Sequence, residues 1–115
     1  MINSNFRDQI LQLHAQFCMG LADPNRILML YTLSEKPRSV NELAEELSLP
    51  QSTVSRHLNS LRTKGLVTSQ RIGQNVIYSI SDSRIIQALD LLRMTMLDML
   101  KNQASLAFQN NNENE

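Results

Sequence analysis

Tryptophan is absent, and a chain of 115 residues carries only three glycines, three prolines and one cysteine. So few helix breakers, set among many Leu, Met, Gln and Glu residues, predict a largely helical protein. The single cysteine excludes an intrachain disulfide framework and fits a reducing compartment. No apolar stretch reaches the length of a signal-peptide core or a membrane span, so a cytoplasmic protein with no membrane partner is expected. A glycine-rich phosphate loop and paired metal-ligand motifs are also missing. The one cysteine has a nearby histidine but no third orienting group in sequence, so neither enzymatic chemistry nor a cofactor is expected.

Net charge is zero, with 11 basic and 11 acidic residues, and taken alone this argues against a nucleic-acid binder. The distribution argues the other way. Between Glu46 and Asp82 there is no acid, while Arg56, Arg62, Lys64 and Arg71 all fall in that interval. A polar surface that merely lacks Asp and Glu is the plain alternative.

The acid-free interval holds the stretch that the rest of the chain is built to present, Pro50 to Gly65. Pro50 suits a first helical position, Val54, Leu58 and Leu61 form an inward stripe, and Gly65 suits the residue just past a helix end. The opposite face carries Gln51, Ser52, Thr53, Ser55, Arg56, Asn59 and Ser60, short hydrogen-bonding groups with one guanidinium. Such a face suits a DNA groove. His57 has two readings, a DNA contact or a packing group beside Leu58.

Residues 1–5 are polar and expected to fray. Phe6, Ile10, Leu13, Phe17 and Leu21 then place an apolar stripe on one side of a first helix, which Gly20 weakens near its end. Asp23 and Pro24 open a second helix, with Ile27, Leu28, Leu30, Tyr31 and Leu33 apolar, and Lys36-Pro37 ends it. Ser39 with Glu42 reads as a capping box for a short third helix buried through Val40, Leu43, Ala44 and Leu47. A short break at Ser48-Leu49 leads into the Pro50–Lys64 helix, and two helices so joined describe a helix-turn-helix.

After Gly65, two β-branched segments, 66–72 and 76–80, flank Gly73, Gln74 and Asn75. They predict a hairpin whose tip, with Arg71, reaches a phosphate backbone or a minor groove. The fold class is therefore mainly α with a β-hairpin, a winged helix-turn-helix spanning residues 1–108, and residues 109–115 form a disordered tail.

A last helix, residues 83–108, carries Ile85, Leu89, Leu92, Met96 and Met99 at helical spacing, widened by Ile86, Met94, Leu97 and Leu100. So broad a stripe exceeds what a small winged helix can cover, although an intramolecular core is the alternative. A homodimer is expected, with Leu89, Leu92, Met96 and Met99 packing across a two-fold axis with Phe6, Ile10, Leu13 and Phe17 of the 6–21 helix.

These residues resemble the ArsR/SmtB group of small bacterial and archaeal repressors. The likeness runs from about Ala15 to Leu100 and is most specific at Leu21-Ala22-Asp23-Pro24-Asn25-Arg26-Ile27 and Gln51-Ser52-Thr53-Val54-Ser55-Arg56-His57-Leu58. It implies a homodimer that sits on a double-stranded DNA operator and blocks transcription, released by an inducer that is often a metal ion. Here the inducer is unknown. Positions matching one family metal site read Ser39, Asn41 and Ala44; those of a second read Asp82, Arg84, Thr95 and Asp98, two carboxylates without an imidazole. The remaining pair, His14 and Cys18, offers a soft-metal site or an intersubunit disulfide across a dimer, against the plain reading of a buried small hydrophobe and a hydrogen-bonded histidine.

On DNA, Gln51, Ser52, Thr53, Ser55 and Arg56 are expected at base edges, with Arg56 suited to a guanine and Gln51 to an adenine. Asn59, Arg62, Lys64 and Arg71 are expected on phosphates. Two other functional readings stay open: a winged-helix protein-interaction module that does not touch DNA, and a DNA-binding dimer with no inducer.

Overall fold

The computed structural model describes residues 2–113, with side chains described through residue 111. The chain divides into two units, residues 1–83 and 84–115.

The first unit opens with α1, Ser4–Leu13, whose start is set by Asn3: its Oδ1 accepts the Phe6 amide at 2.8 Å. A capped helix thus replaces the frayed start expected through residue 5. Residues His14–Cys18 form a π-helical turn, after which the helix runs on to Gly20. The widened turn divides the expected stripe. Phe6, Ile10 and Leu13 are each about half exposed, while Phe17 and Leu21 beyond it are more covered.

Helix α2, Pro24–Glu35, begins where Asp23 Oδ1 accepts the Asn25 amide at 2.8 Å, with Pro24 in the first turn. Its inward face is Met29, Leu30 and Leu33; Leu28, one of the expected apolar positions, stays exposed. A two-residue strand β1, Arg38–Ser39, leads into α3, Val40–Leu47, capped by the reciprocal Ser39–Glu42 box. Ser48 ends α3 in the left-handed region (φ 54°, ψ 45°), and α4 follows at Gln51–Thr63.

Strands β2, Val67–Ile72, and β3, Asn75–Ile80, form the hairpin. The sheet has three antiparallel strands in the order β1-β3-β2, not the hairpin alone, because Arg38 pairs with Tyr78 and Ser39 with Ile77. Two residues are too few to show a strand period in sequence. Arg38 is nevertheless buried, a rarity for arginine that its partners explain. Nη1 donates to the Thr32 carbonyl, Nη2 to Glu35 Oε2 at 3.2 Å, and Nε lies 2.8 Å from Glu46 Oε1. That last approach falls outside hydrogen-bond angles and is a Coulombic contact. The guanidinium thereby ties the end of α2 to α3.

The core of this unit is Met29, Leu30, Leu43, Val54, Leu58, Leu61 and Leu66, all 0% exposed. Burying each such side chain contributes about 1.5–3 kcal/mol. Three of the seven belong to α4, so the helix with the polar outer face is also the one most firmly held.

The second unit is a single helix, α5, Arg84–Glu113, of 30 residues and about 45 Å. It continues through residues 109–113, where a disordered tail is expected; residues 114–115 lie outside the described part. Leu92 (65% exposed), Met96 (50%) and Met99 (56%) stand open. Leu89, of the same expected interface set, differs from these three in being 6% exposed. Among the described residues no helix is long and apolar enough to cross a membrane.

Candidate nucleic-acid interface

Helix α4 presents its polar face because Val54, His57, Leu58 and Leu61 are the residues turned inward. Gln51, Ser52, Ser55, Arg56, Asn59 and Arg62 are exposed; Thr53, Ser60 and Lys64 are half-buried. Pro50 is the N-cap (φ −60°, ψ 145°) and not the first helical residue, and no side chain caps the first turn. Its open amides and the absence of an acidic residue leave that end of the helix complementary to a phosphate.

His57 must be moved from the groove-facing set to the packing set. It is 6% exposed, and its Nε2 lies 3.7 Å from Asp23 Oδ2. The cause is helical spacing: His57 falls three residues after Val54 and next to Leu58, on the inward stripe. Ser60 also has a partner within the protein, since its Oγ accepts from Arg26 Nη1 at 3.3 Å. Sequence reasoning did not single out Arg26 as a functional side chain; three residues after Asp23 on a helix, it is placed on the same side as the cap. Asn59 Oδ1 accepts from Arg62 Nη2 at 3.2 Å, which joins two of the expected phosphate-binding groups.

The helix end is built to pass directly into the wing. Leu66 donates its amide to the Leu61 carbonyl at 2.9 Å and Gly65 to Arg62 at 3.0 Å, with Gly65 at φ 80°. This is a Schellman closure, and both residues of its apolar contact, Leu61 and Leu66, are fully buried. Ser81 returns from β3 to the same corner, its Oγ donating to the Gly65 carbonyl at 2.7 Å and its amide to Leu66 at 3.1 Å. The hairpin root is therefore fixed to the end of α4.

At the far end the turn has two residues, Gly73 and Gln74, because Ile72 pairs with Asn75 across it. Asn75 is thus the first residue of β3 and not part of the turn. Gly73 holds φ 64°, the left-handed value that a type II′ hairpin turn needs at its first central position. Arg71, Gly73, Gln74 and Asn75 are all exposed. α4 and the hairpin tip thus offer one surface of amides, hydroxyls and cations with no carboxylate of their own.

Among the described residues no group of three or more His, Cys, Asp or Glu side chains is placed to hold a metal. Cys18 is exposed, against the plain expectation of a buried small hydrophobe. His14 is exposed beside it.

Known proteins show the same arrangement. The family profile described as "Bacterial regulatory protein, arsR family" matches residues 23–69, from the α2 cap to the first strand of the wing. The HTH-type transcriptional regulator NmtR of Mycobacterium tuberculosis is 40% identical over 76 residues, 66% of this chain and 63% of that protein. The chain thus spans under two thirds of that relative's length. The crystal structure of M. tuberculosis Rv0081 superposes with a TM-score of 0.74 at 35% identity, covering 83% of this chain and 96% of that one. A solution structure from Mycobacterium bovis, Mb0332, described as a homodimeric winged helix-turn-helix DNA-binding domain, has a TM-score of 0.75 at 24% identity, covering 87% of this chain and 93% of that one. At that identity it speaks for the fold alone. With its helix-turn-helix, its wing and these relatives, the chain belongs to the ArsR family of bacterial regulatory proteins.

Proposed function

We propose that this protein is a cytoplasmic, homodimeric, sequence-specific DNA-binding transcriptional repressor. The observation that carries the reading is the exposed face of α4, which has no acid and is joined rigidly to a wing whose tip is equally free of acid. Gln51, Ser52, Thr53, Ser55 and Arg56 read base edges from the early turns of the helix, as the first residues of recognition helices do. Arg62, Lys64 and Arg71 bind phosphates, with Asn59 holding Arg62 in place.

Dimerisation is supported by the open apolar residues of α1 and α5: Phe6, Ile10 and Leu13 on one, Leu92, Met96 and Met99 on the other. Apolar surface of this extent on single helices marks an interaction face. A two-fold axis then presents two copies of α4 to major grooves about one helical turn apart. The relatives' description as transcriptional regulators supports the same reading over an enzymatic one.

The experiment is selection of binding sites from random duplex DNA by the full chain, followed by a salt titration. A palindromic site with half-sites about one turn apart, and affinity falling steeply with salt, is the expected outcome. Failure to enrich any sequence, with no salt-dependent retention, would move the chain to the class of winged-helix protein-interaction modules.

A further inference from the structure

The last turn of the first helix is tied to α4 by one side chain and separately abuts the corner where α4 passes into β2. Arg26, on α2, makes the tie: Nη1 donates to Ser60 Oγ on α4 at 3.3 Å, and Nη2 donates to the Met19 carbonyl at 3.2 Å. The corner contact has no spacer. Gly20 sits so close to the α4–β2 corner that a Cβ there would lie 2.6 Å from Leu66 Cδ1 and 3.2 Å from Lys64 Cδ. Leu66 is fully buried, so it has little room to move aside. The same helix carries the open stripe Phe6, Ile10 and Leu13 at its other end.

Stability alone does not account for this use of an arginine. Arg26 Nε is buried and lacks a hydrogen-bond partner, an arrangement that costs free energy and calls for an explanation. What the planar fork provides is simultaneous reach to two elements from a third, which a single ammonium cannot reproduce.

We propose that Arg26 is a positioning residue that sets half-site spacing: by clamping the end of the first helix to α4, it converts the geometry of the dimer interface into a fixed separation of the two recognition helices. The inference rests on the reading of the chain as a dimeric DNA-binding protein with the first helix at the interface. Its consequence is specific. Adding one base pair between half-sites moves one of them by about 3.4 Å along the axis and about 34° around it. A clamped protomer cannot follow such a displacement; one with a loosened α4 can.

The test uses the full chain and duplexes carrying the selected half-sites at the native spacing and with one or two base pairs added or removed. For the wild type, each change should lower affinity about tenfold or more, the loss expected when a charged hydrogen-bonded contact is given up. Arg26→Lys keeps the charge and the stem but reaches only one partner. It should flatten the profile, so that native and altered spacings differ by less than about threefold, with the salt slope unchanged because no phosphate contact is removed. Ser60→Ala, which removes only the α4 end of the bridge, should flatten the profile in the same sense and reports on the clamp where Arg26→Lys fails to fold.

A merely structural arginine would lower the active fraction equally at every spacing. Uniform loss with the sharp profile retained in both variants overturns the proposal, as does a wild type that is indifferent to spacing. A wild type that selects no sequence overturns the DNA-binding reading itself, and the clamp's role with it.

Discussion

Asp23 and His57 meet between α2 and α4: Asp23 Oδ2 lies 3.7 Å from His57 Nε2, while the other carboxylate oxygen accepts the Asn25 amide at 2.8 Å. One aspartate therefore starts α2 and faces a buried side chain of the recognition helix. The two roles differ in size. Loss of an N-cap costs about 0.5–2 kcal/mol, and a carboxylate–imidazole contact this long with a partly exposed carboxylate contributes less than about 1 kcal/mol.

Asp23→Ala should accordingly lower the unfolding free energy by about 1–2 kcal/mol, whereas Asp23→Asn, which still caps, should cost well under about 1 kcal/mol. Urea unfolding of the two variants decides the matter. Equal losses would mean that the His57 contact, and not the cap, is what Asp23 supplies.

The roles proposed for Arg56 and Arg71, base reading and phosphate binding, can be told apart. Arg56→Ala should cost about 1–3 kcal/mol of binding chiefly at one base position and relax the preference there. Arg71→Ala should weaken binding to all sequences alike and reduce the salt slope by about one unit. Titration of a panel of single-base variants at several salt concentrations checks both; an unchanged preference in Arg56→Ala would remove it from the base-reading set.

How much of this was legible in the sequence depends on the length of the signal. The helix-turn-helix, the capping box at Ser39–Glu42 and the hairpin all announce themselves through periods or caps several residues long. Strand β1 does not, since Arg38 and Ser39 are only two residues and are defined by their partners Tyr78 and Ile77. The π-helical turn at His14–Cys18 is invisible to a stripe read at α-helical spacing. On α4, the inward position of His57 could be read from its spacing to Val54, but the polar character of imidazole left both faces open. The Arg26 bridge has no local pattern at all, because Ser60 is 34 residues away.

Glu46 and Glu35 both face Arg38, and their exposures rank them. The Glu35 side chain is 73% exposed and that of Glu46 43%, while that of Arg38 is 5% exposed. Glu35→Ala should cost less than about 1 kcal/mol, as exposed pairs do. Glu46→Ala, which leaves a buried guanidinium short of its nearest counter-charge, should cost about 1–3 kcal/mol. Thermal unfolding of the two variants should reproduce that order.

Met96 tests the dimer. Met96 is 50% exposed in the protomer, so a two-fold interface there would bury the remaining half of each copy, worth about 0.8–1.5 kcal/mol per copy and counted twice. Met96→Ala should therefore weaken self-association by about tenfold or more. Sedimentation over a concentration series measures this. A dimer unchanged in affinity would place the interface elsewhere than on the open face of α5.

Ser48 offers a gain of stability. It caps α3 at φ 54°, the one left-handed non-glycine residue among those described, and its side chain is exposed. The left-handed conformation costs an ordinary residue about 1–2 kcal/mol. Glycine avoids that cost but loses about 0.4–1 kcal/mol to the greater freedom of its unfolded chain. Ser48→Gly should then stabilise the protein by about 0.5–1 kcal/mol, and Ser48→Val, with a branched Cβ at the same φ, should destabilise it. Both follow from backbone conformation alone, so the denaturant midpoint should move with the m-value unchanged. A Ser48→Gly protein less stable than the wild type would show that the serine hydroxyl, and not the backbone, governs the turn between α3 and α4.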